Sequence, residues 1–161
     1  MMRFLNRLFA RGEPVLSEAG IRDADALARL HAASFRRGWS DGEFEQLLNE
    51  RNVMAHRATR GRKLDAFIIS RIAAGEAEIL SVAVASSRRG RGLARTILNL
   101  HLRRLAGLGT QAVFLEVDED NTPARRLYTR AGFREVGRRA GYYQHTGSNT
   151  AAALVLRRDL A

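Results

Sequence analysis

A strand, a glycine-rich turn and a long helix follow one another in the middle of the chain, and a second strand comes after them. Residues 78–85 (EILSVAVA) are apolar and β-rich, which predicts a buried strand. Apolar residues then recur at helical spacing over residues 94–108, and residues 112–117 (AVFLEV) predict another buried strand. Two strands joined by a helical crossover run parallel. The sequence therefore predicts a parallel strand pair at the centre of a sheet.

The residues before this strand–turn–helix–strand segment predict two helices and a hairpin. One helix pattern begins at Asp23, and the capping-box spacing of Ser40 and Glu43 marks the start of another. Residues 53–59 and 64–73 read as two antiparallel strands joined by a tight turn. His31 falls on the apolar face of the first helix, where a histidine is more often a hydrogen-bonded core residue than a catalytic one.

The residues after this segment predict one more helix and the last strands of the sheet. Thr122 is expected to cap a helix that has Pro123 at its first position and ends at Gly132. Strands are expected in residues 133–136, 142–143 and 151–156. The fold class is therefore α/β, an α+β sandwich built on a mixed sheet. We expect residues 1–20 to be a poorly defined N-terminal extension and residues 21–161 to form a single domain.

Composition and charge exclude several classes of protein. There is no cysteine, which removes disulfides, thiolate metal sites and cysteine nucleophiles and fits a cytoplasmic location. None of the four histidines is at metal-ligand spacing from another, so we expect no metal. No apolar run is long enough to predict a transmembrane segment. Lys and Arg number 27 against 17 for Asp and Glu, and the net charge of +10 favours an anionic partner or cofactor.

The turn between the predicted strand and helix reads SSRRGRGLA over residues 86–94. It is neither a Walker A loop nor the dinucleotide fingerprint, because Arg95 occupies the third glycine position of the latter. Glycines at a helix N-terminus let an anion approach outward-pointing N–H groups, and Arg88, Arg89 and Arg91 add positive charge. These features predict a pyrophosphate site, although such a turn is often only structural.

Residues 89–94 (RGRGLA) resemble the Arg/Gln-x-x-Gly-x-Gly/Ala signature of the GNAT acetyltransferases. The resemblance extends over residues 23–156 and is strongest to the RimI-like branch, which acetylates the N-terminal alanine of a ribosomal protein. It implies the GNAT fold, with a mostly antiparallel sheet, a splayed central parallel pair and flanking helices. It also implies acetyl-coenzyme A as cosubstrate, a protein N-terminus as acceptor, and no specific nucleic acid. The motifs that carry it outside the turn are Leu115-Glu116-Val117, Asn121-Thr122-Pro123-Ala124, Leu127-Tyr128, Ala131-Gly132-Phe133 and Gly141-Tyr142-Tyr143, with Phe35, Trp39 and Ser40 upstream.

Two residues are expected to carry the chemistry. Glu116 interrupts an apolar strand, and a carboxylate partly buried there is a stronger base than one in water. The resemblance implies the same role, with Glu78 on the preceding strand as the competing base. Tyr128 alone would be read as a core tyrosine, but the resemblance implies that it protonates the departing thiolate.

The resemblance also implies the residues that bind cofactor and substrate. The cofactor-binding set is Val82, Ala83, Val84, Arg88, Arg89, Gly90, Arg91, Gly92, Leu93, Ala94, Asn121 and Tyr128. The first three would act through their backbone groups, as an added strand does, and Asn121 could equally be only a turn residue before the helix. Trp39, Tyr142 and Tyr143 are aromatic candidates for a peptide groove.

Two other functions stay open at the level of sequence. The acceptor could instead be a lysine side chain or a small amine. The reference pKa is ~10.4 for a lysine side chain and ~7.7–8.0 for a protein α-amine. The lower value makes an α-amine easier to deprotonate, so one modest base suffices. The net charge of +10 also permits a basic RNA- or ribosome-binding module without catalysis, although no RNA-binding aromatic motif is visible.

Overall fold

The computed structural model describes residues 12–144 and 150–160. In this part of the chain there are seven strands, four α-helices and two short 3₁₀ turns, at Ile21–Asp23 and Ser86–Arg88. The elements are, in chain order, β1 Val15–Glu18, α1 Ala24–Ser34, α2 Asp41–Asn49, β2 Val53–Arg60, β3 Lys63–Ala73, β4 Glu76–Val84, α3 Leu93–Gly107, β5 Ala112–Asp118, α4 Thr122–Arg130, β6 Arg134–Gln144 and β7 Thr150–Asp159.

The strands form one mixed sheet in the order β1-β2-β3-β4-β5-β7-β6. Only the β4–β5 pair is parallel among the recorded pairings, and its ladder runs from Glu76 opposite Ala112 to Ile79 opposite Leu115. Beyond this ladder β4 continues to Val84 and β5 to Asp118. The α/β class, the mostly antiparallel sheet and the central parallel pair predicted from the sequence are confirmed.

The chain divides into two compact units, and the first contains Met1–Arg71 and Leu80–His101. Its core forms where α1 and α2 cover the inner face of β2 and β3. Phe44 from α2 meets Phe67 from β3 edge to face, with ring centroids 5.6 Å apart. Leu27 and Ile69 are fully buried beside them. The capping box predicted at the start of α2 is present, because the Ser40 hydroxyl accepts from the Glu43 N–H and the Glu43 carboxylate accepts from the Ser40 N–H.

The second unit contains Ile72–Ile79 and Leu102–Ala161. Strand β5 lies between β4 and β7, and its alternate residues Val113, Leu115 and Val117 point into the core. The register with β7 places Glu116 opposite Val155 and Asp118 opposite Ala153. Residues on the other face of β5 therefore project away from this core, which sets the direction of Glu116.

Four local expectations differ from the structure. Val15–Glu18 forms a strand inside the segment that we expected to be an undefined extension, because it pairs with β2. Helix α3 ends at Gly107, so Leu108 is 64% exposed instead of completing the apolar stripe. Residues 134–144 form one strand with register shifts rather than two strands. Asn121, not Thr122, caps α4, since its side chain accepts from the Ala124 N–H.

Two further expectations concern His31 and the N-terminal segment. His31 is the hydrogen-bonded core residue that was expected: it is 4% exposed, and its Nδ1 accepts from the Trp39 N–H at 3.0 Å. The helical spacing in residues 1–11 lies outside the described residues. Within the described part, none of the helices has the length and apolar character needed to cross a bilayer.

Candidate active site

The glycine-rich turn takes a backbone conformation that only glycine adopts without strain. Gly90 and Gly92 have φ values of +76° and +78°, and a Cβ at either position would meet no atom within 4 Å. Glycine is therefore needed for the conformation and not for lack of space. The Gly92 carbonyl accepts from the Thr96 N–H at 3.0 Å, which starts α3. The first N–H groups of that helix have no acceptor four residues back, so the turn ends in a set of outward donors.

The three arginines of the turn have different surroundings. Arg88 is largely buried, and its Nε lies 3.6 Å from Oδ2 of Asp65 on β3. Arg89 is exposed and donates from Nε to the Val84 carbonyl at 3.2 Å. Arg91 is exposed. Arg88 is thus tied to the interior of the first unit and Arg89 to the end of β4, so the three guanidinium groups are not equivalent.

The end of β4 places Val82, Ala83 and Val84 in the first unit. Ala83 is 4% exposed and belongs to the same hydrophobic core as Leu27 of α1 and Phe44 of α2. Val82 and Val84 are half-buried and project from the opposite face, as strand alternation requires. Leu93 and Ala94 follow the turn as the first residues of α3.

Glu116 lies on the outer face of β5. Its side chain retains 30% of its accessible surface, and Oε1 is 3.5 Å from Nη1 of Arg139. Arg139 comes from β6, opposite Ala153 of β7, and its side chain reaches across β7 to the carboxylate. The competing base, Glu78, is exposed on β4 opposite Phe114. Strand alternation places Glu78, Phe114 and Glu116 on one face of the parallel pair.

Tyr128 is buried in the second unit. It lies on α4, is 8% exposed and packs edge to face on Phe133, with centroids 5.7 Å apart. Burial, with a smaller contribution from Tyr143, raises the pKa of Tyr128 to about 12. The phenol therefore keeps its proton across the physiological range and is available as a donor. Asn121 holds the N-terminus of the same helix through its carbonyl oxygen, 3.2 Å from the Ala124 nitrogen.

The two tyrosines of β6 extend the cluster around Glu116. Tyr143 is half-buried, and burial followed by the negative charge of Glu116 raises its pKa. Tyr142 is 52% exposed and packs against the guanidinium of Arg139, which lies 3.9 Å from the ring centroid. The structure thus brings Glu116, Tyr142 and Tyr143 together around Arg139. Arg139 was not among the site residues predicted from the sequence, because nothing local marks an exposed arginine as the partner of a carboxylate two strands away.

Trp39 belongs to the first unit and is part of an aromatic cluster. Its ring stacks on His31 with centroids 4.5 Å apart, and it also packs on Phe44 at 5.4 Å. Burial lowers the pKa of His31, which is consistent with a neutral ring accepting from the Trp39 N–H. Trp39 therefore has a packing role in this unit.

No group of three or more His, Cys, Asp or Glu side chains among residues 12–144 and 150–160 is arranged to hold a metal ion. The arrangement offers instead a glycine-rich turn at a helix N-terminus in the first unit. In the second unit it offers a solvent-accessible carboxylate and a buried phenol.

Comparison with known proteins identifies the family of the chain. Residues 24–133 match the acetyltransferase (GNAT) family. The ribosomal protein bS18-alanine N-acetyltransferase of Escherichia coli strain K12 is 30% identical over 117 residues, 73% of this chain and 78% of that protein. The mycothiol acetyltransferase of a Parafrankia strain is 49% identical over 57 residues, and the match spans only 18% of that longer protein.

Two solved structures share the fold. The E. coli ribosomal-protein-S18-alanine N-acetyltransferase superposes with a TM-score of 0.86 at 24% identity and covers 92% of this chain and 94% of its own. Arabidopsis thaliana NAA60 in complex with acetyl-CoA has a TM-score of 0.80 at 21% identity, covering 91% and 98%. With the family match over most of its length, the chain belongs to the GNAT family and is an acetyltransferase.

Proposed function

We propose that the protein transfers the acetyl group of acetyl-coenzyme A to the N-terminal α-amine of a protein, of the ribosomal-protein alanine type. The observation that carries the proposal is the turn with left-handed Gly90 and Gly92 at the start of α3, which suits a diphosphate. Support for the acceptor comes from the relatives named for bS18-alanine acetylation, which match this chain over 73% to 88% of its length. The absence of cysteine supports a cytoplasmic setting.

The cofactor is held mainly by backbone groups in this proposal. The N–H groups of residues 89–94 bind the diphosphate, with Arg89 and Arg91 near enough in sequence to add charge. The backbone of residues 82–84 pairs with the amides of the pantetheine arm as an added strand would. Asn121 uses its carbonyl oxygen to cap α4, which leaves its NH₂ group to donate to the same arm.

The reaction is a direct attack of the amine on the thioester. The amine nitrogen forms a bond to the acetyl carbon, the carbon–sulfur bond breaks, and the electron pair leaves with sulfur. Glu116 takes the proton that the nitrogen loses. A protein α-amine has a reference pKa of ~7.7–8.0, so this step needs only a modest base. The accessibility of Glu116 supports its role, because the acceptor reaches it from solvent.

Tyr128 donates to the departing sulfur. Its pKa of about 12 lies roughly 3.5 units above the ~8.5 of a simple thiol, so full transfer of its proton to a thiolate is uphill by about 5 kcal/mol. Tyr128 therefore stabilises the negative charge on sulfur by a hydrogen bond, and the proton that Glu116 took from the amine is passed on to the thiolate to complete the thiol. Tyr142 and Tyr143 supply aromatic surface for the peptide.

A panel of acceptors tests the proposal. The panel contains an alanine-initiated peptide, the same peptide with a blocked N-terminus and a free lysine, and a polyamine, each with acetyl-coenzyme A. We expect the free α-amine to react best, and Tyr128→Phe to lower kcat by about 10²-fold or more while coenzyme A still binds. Preference for the blocked lysine peptide or the polyamine would assign another acceptor. Steep, salt-dependent RNA binding without coenzyme A binding would refute the enzyme assignment of the site.

A further inference from the structure

A fully buried carboxylate lies directly under the glycine-rich turn. Asp65, near the start of β3, has no accessible surface. Its Oδ2 and Oδ1 accept from Nε and Nη2 of Arg60 at 2.5 and 2.9 Å, a two-pronged contact that fixes the plane of the carboxylate. A charged group this deep in a fold is retained only where its partners compensate the loss of water.

Asp65 has a second cationic partner, which comes from the turn itself. The Nε of Arg88 lies 3.6 Å from Asp65 Oδ2, and the Arg88 side chain is only 13% exposed. That Nε is buried and makes no hydrogen bond among the described residues, so its contact with Asp65 is electrostatic. One carboxylate thus faces two guanidinium groups.

Asp65 also contacts the other end of the segment that leads into the turn, residues 85–88. Its carbonyl oxygen accepts from the Ala85 N–H at 2.8 Å, and the Ala85 carbonyl accepts from the Arg88 N–H at 2.8 Å. Residues 85–88 are therefore attached to Asp65 at both ends, by the backbone at Ala85 and by the side chain at Arg88. The next residues are the ones whose N–H groups are proposed to bind the diphosphate.

We propose that Asp65 is a positioning residue for the anion-binding turn: fixed by Arg60, it holds Arg88 and so sets where the amides of residues 89–92 point. Arg88 then acts through Asp65 and not as a phosphate ligand. The inference rests on the proposed function for the identity of the anion, coenzyme A. The attachment itself belongs to the first unit and has its own readout.

The direction in which Asp65→Asn changes the affinity for coenzyme A distinguishes a positioning role from a purely electrostatic one. Asp65→Asn keeps the size of the side chain and makes the base of the turn more positive by one charge. If only charge mattered, coenzyme A would bind more tightly. If Asp65 positions the turn, coenzyme A binds more weakly, and we expect a rise in Kd of about tenfold, within the usual range for coupled neighbours.

The experiment compares coenzyme A binding by calorimetry in the full chain. The variants are Asp65→Asn, Arg88→Gln and the double variant, and we expect the double variant to bind no worse than the weaker single one. Asp25→Asn and Arg29→Gln are the matched controls, because that pair is a surface ion pair with side chains 69% and 74% exposed. Arg88→Gln leaves the Arg60–Asp65 pair intact, so it remains informative if Asp65→Asn does not fold.

Two further readouts distinguish positioning from general destabilisation. Amide hydrogen exchange over residues 85–95 is expected to quicken in Asp65→Asn and Arg88→Gln, with exchange in α1 and α2 unchanged. The KM for acetyl-coenzyme A is expected to rise while kcat at saturation stays within about twofold. Equal or tighter coenzyme A binding by Asp65→Asn, or unchanged exchange in the turn, would overturn the inference. If the wild type binds no coenzyme A, the proposed function fails, and the exchange data alone decide the positioning role.

Discussion

At the scale of single residues, the choice of base lies between two carboxylates on one face of the parallel pair. Glu78 lies opposite Phe114 within the ladder, whereas Glu116 lies beyond it on β5 and contacts Arg139. Under the proposed mechanism, the amine must compete with or displace the Arg139 guanidinium, whose Nη1 lies 3.5 Å from Glu116 Oε1. An exposed pair of this kind contributes only about 0–1 kcal/mol, so displacement is easy.

We predict that Glu116→Gln lowers kcat by about 10²-fold or more, because it removes the proton acceptor that we propose and keeps the shape of the side chain. Glu78→Gln is the matched control on the neighbouring strand and is expected to stay within about threefold of the wild type. Steady-state acetylation across pH 6 to 9 with the alanine peptide measures both. Full activity of Glu116→Gln together with loss in Glu78→Gln would move the base to β4.

At the scale of elements, the junction of β4 with α3 combines local backbone rules with a helix terminus. The two left-handed glycines reverse the chain, and the Thr96 hydroxyl and N–H both bond to the Gly92 carbonyl at 3.0 Å. A side chain at either glycine would find room, since nothing lies within 4 Å of the added Cβ. The conformation alone therefore excludes other residues.

We predict that Gly92→Ala weakens coenzyme A binding by about tenfold, because the left-handed backbone costs an alanine about 1–2 kcal/mol and the turn relaxes away from that geometry. Gly107→Ala is the control: that glycine also has open space but no positive φ and ends α3. It is expected to bind coenzyme A normally and to be as stable as the wild type or slightly more so. Equal binding by both variants would show that the left-handed turn is not needed for the ligand.

At the scale of the whole molecule, a buried histidine pair links stability to pH. His56 on β2 and His101 on α3 face each other with their Nδ1 atoms 2.7 Å apart, and the other ring nitrogen of His101 lies 2.6 Å from the Ser70 hydroxyl. Both rings are at most 1% exposed. Burial, and then the neighbouring His56, lowers the pKa of His101 to about 3. The folded protein thus holds His101 neutral.

The unfolded chain binds a proton at His101 below pH ~6.5 and the folded chain does not, so stability is full above that pH and falls toward pH 3. We predict a loss of about 1.4 kcal/mol per pH unit from this group within that window. Urea unfolding between pH 7.5 and 4.5 measures it, and His101→Asn is expected to be less stable at neutral pH but to show a shallower slope. An unchanged slope in the variant would assign the acid sensitivity to other groups.

Features of the fold could be predicted where they depend on residues close together in the sequence, and were missed where they depend on distant ones. The capping box of Ser40 and Glu43, the glycine turn and the crossover from β4 to β5 were read correctly because each depends on residues close in sequence. Strand β1 was missed because its four residues form a strand only by pairing with β2. The cap of α4 was misplaced by one residue, since Asn and Thr both serve at that position.

The amino-acid sequence by itself determined the class of fold, the glycine-rich turn and the family, because these depend on local backbone preferences, side-chain periodicity and short motifs. Tertiary structure alone decided which polar side chains meet. Arg139 joins Glu116 across β7, Asp65 binds Arg60 and Arg88, and His56 meets His101 over 45 positions of sequence. Those contacts depend on strand register and on which face each side chain takes. A shift of one residue would reverse that face without altering any local pattern.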